Sequence, residues 1–383
     1  MYNYIPLEQA ADILDSYRKP VNSKERLNLI KGKPLDELFP YYGATGQVGW
    51  IDSFLTDGEY ILLGEDGAPF LNPYAEKAYI IYGKTWVNNH AHILRSKTNN
   101  EFLCYYLNYF NYKNYVSGTT RLKLTQAQMR KIPIPNIPGD EQSRIVASIE
   151  ELFSKLDKAV DTLKTTKEQL EVYRQTILVD AFRAATNSTY LKVGCVCAKI
   201  VDCPHSTPKW EKSGKLCLRT TNFKRGYLDL QSPNYVSEET FNDRNRRIIP
   251  QPGDVLYSRE GSVLGIACTI PSNVYPCLGQ RMMLLRSGEK LNNRYLMHYL
   301  NSPMVTNHVI ATKGGTGSPH INVGDIKEFQ IPIPSLEEQS NIVRQIEEQL
   351  SSCDNVEKTV DAILTQADAM RQSILKQAFE GTL

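Results

Sequence analysis

The feature that most constrains this chain is that it contains itself twice. Shifting residues 141–183 by 197 positions lays them on 338–380 without a gap, with 18 of 43 positions identical. Glu141-Gln142-Ser143 falls on Glu338-Gln339-Ser340, Arg174-Gln175 on Arg371-Gln372, and Ala181-Phe182 on Ala378-Phe379. Upstream, Lys131-Ile132-Pro133-Ile134-Pro135 recurs as Gln330-Ile331-Pro332-Ile333-Pro334, and residues 99–108 match 292–301 at six of ten positions. Gly118, followed by Arg121-Leu122-Lys123-Leu124, stands against Gly317, followed by His320-Ile321-Asn322-Val323. Two long copies imply a pseudo-twofold molecule rather than a solenoid of many short repeats. The layout is a variable domain (1–136), a shared segment (137–186), a second variable domain (187–336) and a second shared segment (337–383).

Each shared segment opens on alternating Ile-Pro, which excludes helix interior, and then runs polar with regularly spaced apolar residues. Ile149, Leu156, Leu163, Leu170 and Ile177 repeat every seven residues, with Ile145, Leu152, Ala159, Thr166 and Tyr173 as a companion series. Ile346, Cys353, Val360, Ala367 and Ile374 do the same in the second copy, beside Ile342, Val356, Ile363 and Met370. No Gly or Pro interrupts residues 141–183, so a single helix of roughly 65 Å is expected, at ~1.5 Å per residue. Two such helices are expected to pack antiparallel as a coiled-coil-like spacer. The fold class is therefore α+β: two mixed α/β domains separated by two long helices, related by internal duplication.

The variable domains follow a shared order. Tyr60–Leu63, Tyr79–Tyr82 and Ala91–Leu94 read as strands before a helix at Glu101–Phe110. Asp254–Tyr257, Gly265–Cys268 and Arg281–Leu285 precede a helix at Asn293–Leu300. Charge follows the same division. Residues 1–136 carry 15 Lys/Arg against 13 Asp/Glu and residues 187–336 carry 18 against 11, whereas 137–186 carry 7 against 9 and 337–383 carry 4 against 9. The near-neutral total hides basic domains alternating with acidic helices. No run approaches 18 consecutive apolar residues and no secretory signal is visible, so a cytoplasmic chain with eight reduced cysteines is expected.

Tests for chemistry fail one after another. There is no Pro-Pro dipeptide or Phe-x-Gly-x-Gly loop for base methylation, no Glu-x-Lys for a metal-dependent nuclease, and no Gly-x-Ser-x-Gly elbow. The single Asp-x-Lys, at Asp325-Ile326-Lys327, has no obvious acidic partner, and Gly314-Gly315-Thr316-Gly317 lacks the Gly-Lys-Ser/Thr ending of a phosphate loop and reads as a flexible loop. Cys195, Cys197, Cys203, His205 and Cys217 do not follow paired Cys-x-x-Cys spacing, so small buried thiols are expected rather than zinc. His90 and His92 alternate on a strand and point to opposite faces. The expectation is a chain with no catalytic residues, no metal and no cofactor of its own.

The pattern resembles the specificity subunit of type I restriction–modification enzymes. The resemblance covers essentially the whole chain and rests most on Ile132-Pro133-Ile134-Pro135 leading to Glu141-Gln142 and on Ile331-Pro332-Ile333-Pro334 leading to Glu338-Gln339. It rests also on the tail Ile374–Gly381, the string Gly83–His92, and Asp202-Cys203-Pro204-His205 with Gly253-Asp254-Val255-Leu256. It implies two target-recognition domains, each reading half of a bipartite double-stranded DNA site. It also implies helices that space them and dock two methyltransferase subunits carrying S-adenosylmethionine, and a motor-nuclease subunit joining for restriction. Donors in loops and at strand ends are the expected contacts to bases and phosphates. They are Asn88, Asn89, His90, Arg121 and Lys123 in the first domain. In the second they are His205, Lys209, Arg219, Thr220, Asn222, Arg259, Gln280, Arg281, His320 and Asn322. The alternative left open is a coiled-coil scaffold with two protein-binding domains and no DNA affinity.

Overall fold

The computed structural model describes residues 3–185, 188–312 and 319–383. The glycine-rich run 314–317, and with it the match of Gly118 to Gly317, lies outside the described residues. The chain forms two compact units, Met1–Lys164 with Val360–Leu383 and Thr165–Thr359. Each long helix therefore contributes one half to each unit.

In the first unit the strands Ala11–Ile13, Ala91–Ser96, Tyr60–Gly64 and Ala78–Ile81 lie side by side in that order, all antiparallel. The alternation of side chains explains why this apolar sheet is buried on both faces. Ile61, Leu63 and Leu94 join Phe102, Leu103 and Leu107 of the helix Asn100–Tyr109 in one core, while Tyr60, Leu62 and Ile93 turn into another. The second unit repeats the scheme with Cys197–Asp202, Met282–Ser287, Val255–Ser258 and Ala267–Thr269. There Val255, Tyr257, Met283 and Leu285 meet Tyr295 and Leu296 of the helix Asn293–Asn301, and Leu256, Met282 and Leu284 face the other way. The expected strands and helices are present, the one expected at 265–268 shifted to Ala267–Thr269.

Each unit also carries a second sheet that the sequence pattern did not reveal. It comprises Gly46–Ile51, Phe39–Gly43, Lys84–Val87 and Thr56–Asp57 in the first, and Tyr235–Val236, Lys215–Leu218 and Cys277–Leu278 in the second. Both contain one parallel pairing, Phe39–Gly43 with Lys84–Val87 and Lys215–Leu218 with Cys277–Leu278. Strands this short, broken by Gly and Pro, carry too little periodicity to stand out.

The structure corrects the register of the duplication. Leu124 N donates to the Glu65 carbonyl at 2.7 Å and Ile321 N to the Arg259 carbonyl at 3.0 Å, so these two positions are equivalent and differ by 197, not 199. Lys123 therefore corresponds to His320. Thr125, which caps Gln126–Met129, corresponds to Asn322, the residue before Val323–Lys327. The Ile-Pro strings matched at 199 because a dipeptide repeat matches itself at either offset. In the fold, Ile134-Pro135 is equivalent to Ile331-Pro332, in short strands that pair with Tyr4–Pro6 and Thr189–Lys192.

The long helices run Gly139–Ala184 and Leu336–Glu380. Equivalent glutamines fasten their starts. Gln142 Nε2 donates to the Ile137 carbonyl at 2.9 Å while its Oε1 accepts from Thr98 Oγ1 at 2.8 Å. Gln339 Nε2 donates to the Pro334 and Lys290 carbonyls, both at 2.9 Å, and its Oε1 accepts from Asn292 N at 2.8 Å. In the second unit the two helices are antiparallel: Lys167 meets Glu357 at 3.5 Å, and Arg174, further along, meets Asp354 at 2.6 Å and the Leu350 carbonyl at 3.5 Å. In the first unit Arg371 pairs with Asp157 and lies 4.9 Å over the Phe153 ring. Because 174 and 371, like 157 and 354, are related by the 197 shift, this is one ion pair made twice.

The heptad seams are partly corrected. Ile149, Leu156, Ile177, Ile346, Cys353, Val360 and Ala367 are buried as expected, but Tyr173, Val356, Ile363 and Met370 of the companion series are exposed. The companion stripe is covered only in part: Ile145 and Ile342, near the helix starts, pack against the domain cores, and the positions further along turn outward.

At the far end of each helix a phenylalanine enters the core of a mixed α/β domain. Phe182 packs edge-on against Tyr295 and Tyr299, each at 5.1 Å. Phe379 contacts Phe102 at 5.4 Å, Tyr106 at 5.2 Å and Tyr109 at 5.5 Å. Truncating a buried phenylalanine costs about 3–5 kcal/mol. Phe379→Ala should therefore speed amide hydrogen exchange in Asn100–Tyr109 and leave Asn293–Asn301 unchanged, with Phe182→Ala doing the reverse. Exchange followed by mass spectrometry on the full chain checks both.

Candidate nucleic-acid interface

In the first unit the chain leaves the central strand Tyr60–Gly64 at Glu65, and four loops close around that residue. Glu65 N donates to the His90 carbonyl at 2.7 Å, and its own carbonyl takes Leu124 N. Its carboxylate pairs with Arg18 and, at 3.3 Å, with Lys123. Arg18 also reaches Asp15 at 3.1 Å and donates to the Ala91 carbonyl at 3.2 Å and the Asn89 carbonyl at 3.5 Å. Next to Glu65, Asp66 holds Arg121 at 2.6 Å and His90 at 3.6 Å.

Asp15 is the anchor beneath these loops. Its carboxylate accepts from His92 Nδ1 at 2.7 Å, Gln126 Nε2 at 2.8 Å and Ile93 N at 3.0 Å. Burial works to raise its pKa, but the hydrogen bond and charge of His92, the Ile93 amide and the charge of Arg18 together hold it below the usual carboxylate value. Fully buried His92 faces acceptors on both sides, Asp15 and, at 3.0 Å, the Leu124 carbonyl.

The second unit builds its platform from the 202–209 loop, Arg219–Asn222, Arg259–Gly261, Gln280–Arg281 and Pro319–Ile321. Arg259 grips Asp202 through two bonds, Nε to Oδ1 at 2.8 Å and Nη2 to Oδ2 at 3.1 Å, while His205 Nε2 stands 3.1 Å from the same carboxylate. Arg259 N donates to the Arg281 carbonyl at 3.0 Å. Gln280 donates to the His205 carbonyl at 2.6 Å and accepts from Thr207 at 3.2 Å. A side chain at Gly279 would place Cβ 2.2 Å from the Leu218 carbonyl. Only glycine permits that approach, which brings Arg219 beside Gln280. The Arg219 guanidinium lies 5.3 Å over the Trp210 ring. Arg281 has φ +67°, a left-handed conformation rare for a long side chain.

All five residues expected in the first domain thus gather around Glu65 and Asp66. Of the ten in the second, His205, Arg259, Gln280, Arg281 and His320 converge, the last through a β-bridge to Glu260. Arg219 and Thr220 adjoin them, and Lys209 sits at the exposed end of its loop. Three side chains turn inward. Asn88 is buried and accepts from His90 N at 2.8 Å, Asn222 is buried and accepts from Arg219 N at 2.8 Å, and Arg259 is spent on Asp202. They shape loops rather than reach outward. Asn322 is exposed but bonds Asp325 at 3.2 Å. The cysteines do not assemble: Cys195 is exposed, Cys203 and Cys217 are buried apart from it, and Cys217 lies opposite Cys277 in paired strands. Among the described residues no group of three or more His, Cys, Asp or Glu is placed to hold a metal ion.

Sequence reasoning missed Asp15, Arg18, Trp210 and Arg244. Buried Arg244 has no carboxylate partner among the described residues and instead donates to four carbonyls: Leu278 at 2.6 Å, Gly279 at 2.8 Å, Ser206 at 3.2 Å and Pro204 at 3.3 Å. It ties the 202–209 loop to the end of Cys277–Leu278. A cation inside a short acidic helix (Glu238–Arg244) reads as surface charge, so no pattern announces this role.

The family model for the type I restriction modification DNA specificity domain matches the chain twice, over residues 9–172 and 203–366. A putative type I restriction enzyme specificity subunit from Haemophilus influenzae is 28% identical over 350 residues, spanning 88% of this chain and 85% of that protein. The EcoDI specificity subunit of Escherichia coli is 24% identical, over 95% of this chain and 88% of its own length. Among solved structures, a chain of a type I restriction–modification assembly superposes with a TM-score of 0.70 at 19% identity, covering 100% of this chain and 98% of the other. The HsdS subunit from Thermoanaerobacter tengcongensis superposes at 0.56 with 20% identity, covering 100% and 97%.

Two outcomes test the site's architecture. Arg244→Ala leaves the Leu278 and Gly279 carbonyls buried without a donor, at about 1–3 kcal/mol each, and should loosen residues 203–209 in hydrogen exchange. Arg244→Lys should not restore them, since one ammonium cannot span four carbonyls. The depressed pKa of Asp15 stabilises the fold above the carboxyl's unfolded pKa, and that contribution is lost as pH falls through the folded value. Asp15→Asn should therefore flatten the acid side of the stability–pH curve measured by denaturant unfolding.

Proposed function

The chain belongs to the family of type I restriction–modification DNA specificity domains, and from that premise we propose that each of its two platforms reads one half of a bipartite double-stranded DNA target. The observation that carries this reading is that two matched domains present the same set of loops, built from donors suited to base edges and phosphates. The chain acts as a non-catalytic recognition subunit. Methyl transfer, with its S-adenosylmethionine, belongs to methyltransferase partners, and translocation and cleavage to a motor-nuclease partner, in the cytoplasm. The long helices act as ruler and dock. Each unit exposes apolar side chains of the long helices suited to a partner subunit: Ile363 and Met370 in the first, Val172, Tyr173 and Val356 in the second. No helix among the described residues is long and apolar enough to cross a membrane.

Electrostatics divides the labour between the halves. In the first platform Arg18, Arg121 and Lys123 are each bound to a carboxylate. In the second, Arg219 lies on Trp210 and Lys209 makes no ion pair among the described residues. Phosphate neutralisation should therefore be concentrated in the second half.

Co-expressing the chain with its methyltransferase in a methylation-free host and mapping adenine methylation at base resolution tests the reading. A split motif with a fixed spacer, dependent on this chain, is expected, and replacing residues 187–330 should change one block only. Lys209→Ala with Arg219→Ala should lower the salt slope of DNA binding by up to about 0.9 for each phosphate that is no longer neutralised. An assembled complex with neither chain-dependent methylation nor salt-dependent DNA affinity points instead to a scaffold.

A further inference from the structure

The duplication allows the two platforms to be compared position by position, and one comparison goes beyond the functional reading. Ile13 pairs with Leu94 and Ile200 with Leu285, while Leu94 pairs with Ile61 and Leu285 with Val255. Two residues beyond the equivalent strand positions stand Asp15 and Asp202, and three further on stand Arg18 and His205. Glu65 and Arg259 are equivalent by two backbone bonds, to the His90 and Arg281 carbonyls and from Leu124 N and Ile321 N. Both platforms thus contain the same three-residue hub: an aspartate anchor, a side chain three residues on, and the residue that ends the central strand.

The anchor is the same in both hubs, and the other two positions differ in charge. In the first hub Arg18 lies between two carboxylates, Asp15 and Glu65. In the second the cation has moved to the strand position, where Arg259 holds Asp202 with His205 alongside, its Nδ1 3.4 Å from Arg259 Nη2. The hub contacts reach several loops carrying outward donors: Arg18 fixes Asn89 and Ala91, Glu65 fixes Lys123, and His205 fixes Gln280 through its carbonyl. Arg18 and Arg259 are largely enclosed, so neither is free to grip phosphate without breaking its pair.

We propose that the Asp15–Arg18–Glu65 and Asp202–His205–Arg259 hubs are the specificity-positioning elements of the two halves, their charge arrangement setting where the loop donors stand and so which bases each half accepts. The geometry kept by both copies is scaffold, and the charges that differ within it decide the half-target. The proposal rests on the DNA-reading function above.

The test uses the full chain co-expressed with its methyltransferase, and methylation mapping as readout. Arg18→Met should reduce base discrimination about tenfold or more at one or more positions of one block, leaving the other block and the spacer unchanged. Arg259→Met should do the same to the other block alone. The paired reversal Arg18→Glu with Glu65→Arg rebuilds the ion pair and should restore methylation of a single defined motif that Arg18→Glu alone does not support. A merely structural role would lower methylation uniformly with the motif unaltered, and that result overturns the proposal. So does a change in both blocks from either single variant, or no change from any. Where Arg18→Met fails to assemble, Arg18→Lys and the paired reversal carry the same readout. A wild-type complex that methylates no split motif overturns the DNA-reading function and the hub with it. A wild-type split motif indifferent to the hub variants overturns the hub alone.

Discussion

The structure depends on an aromatic wedge made twice. Phe182 enters the pair Tyr295 and Tyr299, and Phe379 enters Phe102 and Tyr106, at ring separations of 5.1–5.4 Å. A long helix with a weak apolar stripe has little to fix its rotation or sliding, since each step along it looks much like the last. A buried ring is different, because it fits one socket. Each wedge locks one helix end to one recognition domain, and the glutamine at the start of the other helix fastens the same domain from its second side. The antiparallel ion pairs Arg174–Asp354 and Arg371–Asp157 then need only match, not specify, the register already set.

From that frame follows the stability of the platforms. The core helices Asn100–Tyr109 and Asn293–Asn301 carry equivalent asparagines near their ends. Asn108 bonds the backbone of Ala78 at 2.7 and 3.1 Å, and Asn301 bonds that of Ala267 at 2.8 and 2.9 Å. Each asparagine fills an edge position of the sheet as a further strand would. The helix fixed by the wedge therefore fixes the sheet, and the sheet fixes the strand end from which Glu65 or Arg259 projects.

Legibility in the sequence followed the physics. The long helices, the central strands and the helices packed on them were readable because periodicity over many residues is a strong signal, and the duplication doubled it. The register at 121–135 was misread because Ile-Pro repeats at the same period as a strand and permits a slip of two. The second sheets escaped notice because their strands are short and interrupted. Among candidate site residues, loop composition picked out His90, Arg121, His205 and Arg281, which gather on the platforms, but it also selected Asn88 and Asn222, which are buried and bonded to their own loops. Donor chemistry suits an asparagine for a base and for a turn alike, and only burial separates the two. Arg18, Asp15 and Arg244 were invisible because their importance comes from partners 34 to 111 residues away.

The pairing of so many cations with carboxylates has a cost and a use. A cation held by an acid contributes less to phosphate affinity, since binding DNA must weaken one pair to form another. Removing one partner of an enclosed pair is far more damaging than the pair is stabilising, because the remaining charge is left poorly solvated. On the hub proposal, a wrong base that displaced a loop donor would strain the pair behind it, and the ion pairs would convert a local mismatch into a larger penalty. Sequence discrimination needs a difference in free energy between targets rather than raw affinity. A platform stiffened from beneath by Asp15 or Asp202 suits that need, and the less encumbered cations of the second domain, Lys209 and Arg219, are those left available to an anion.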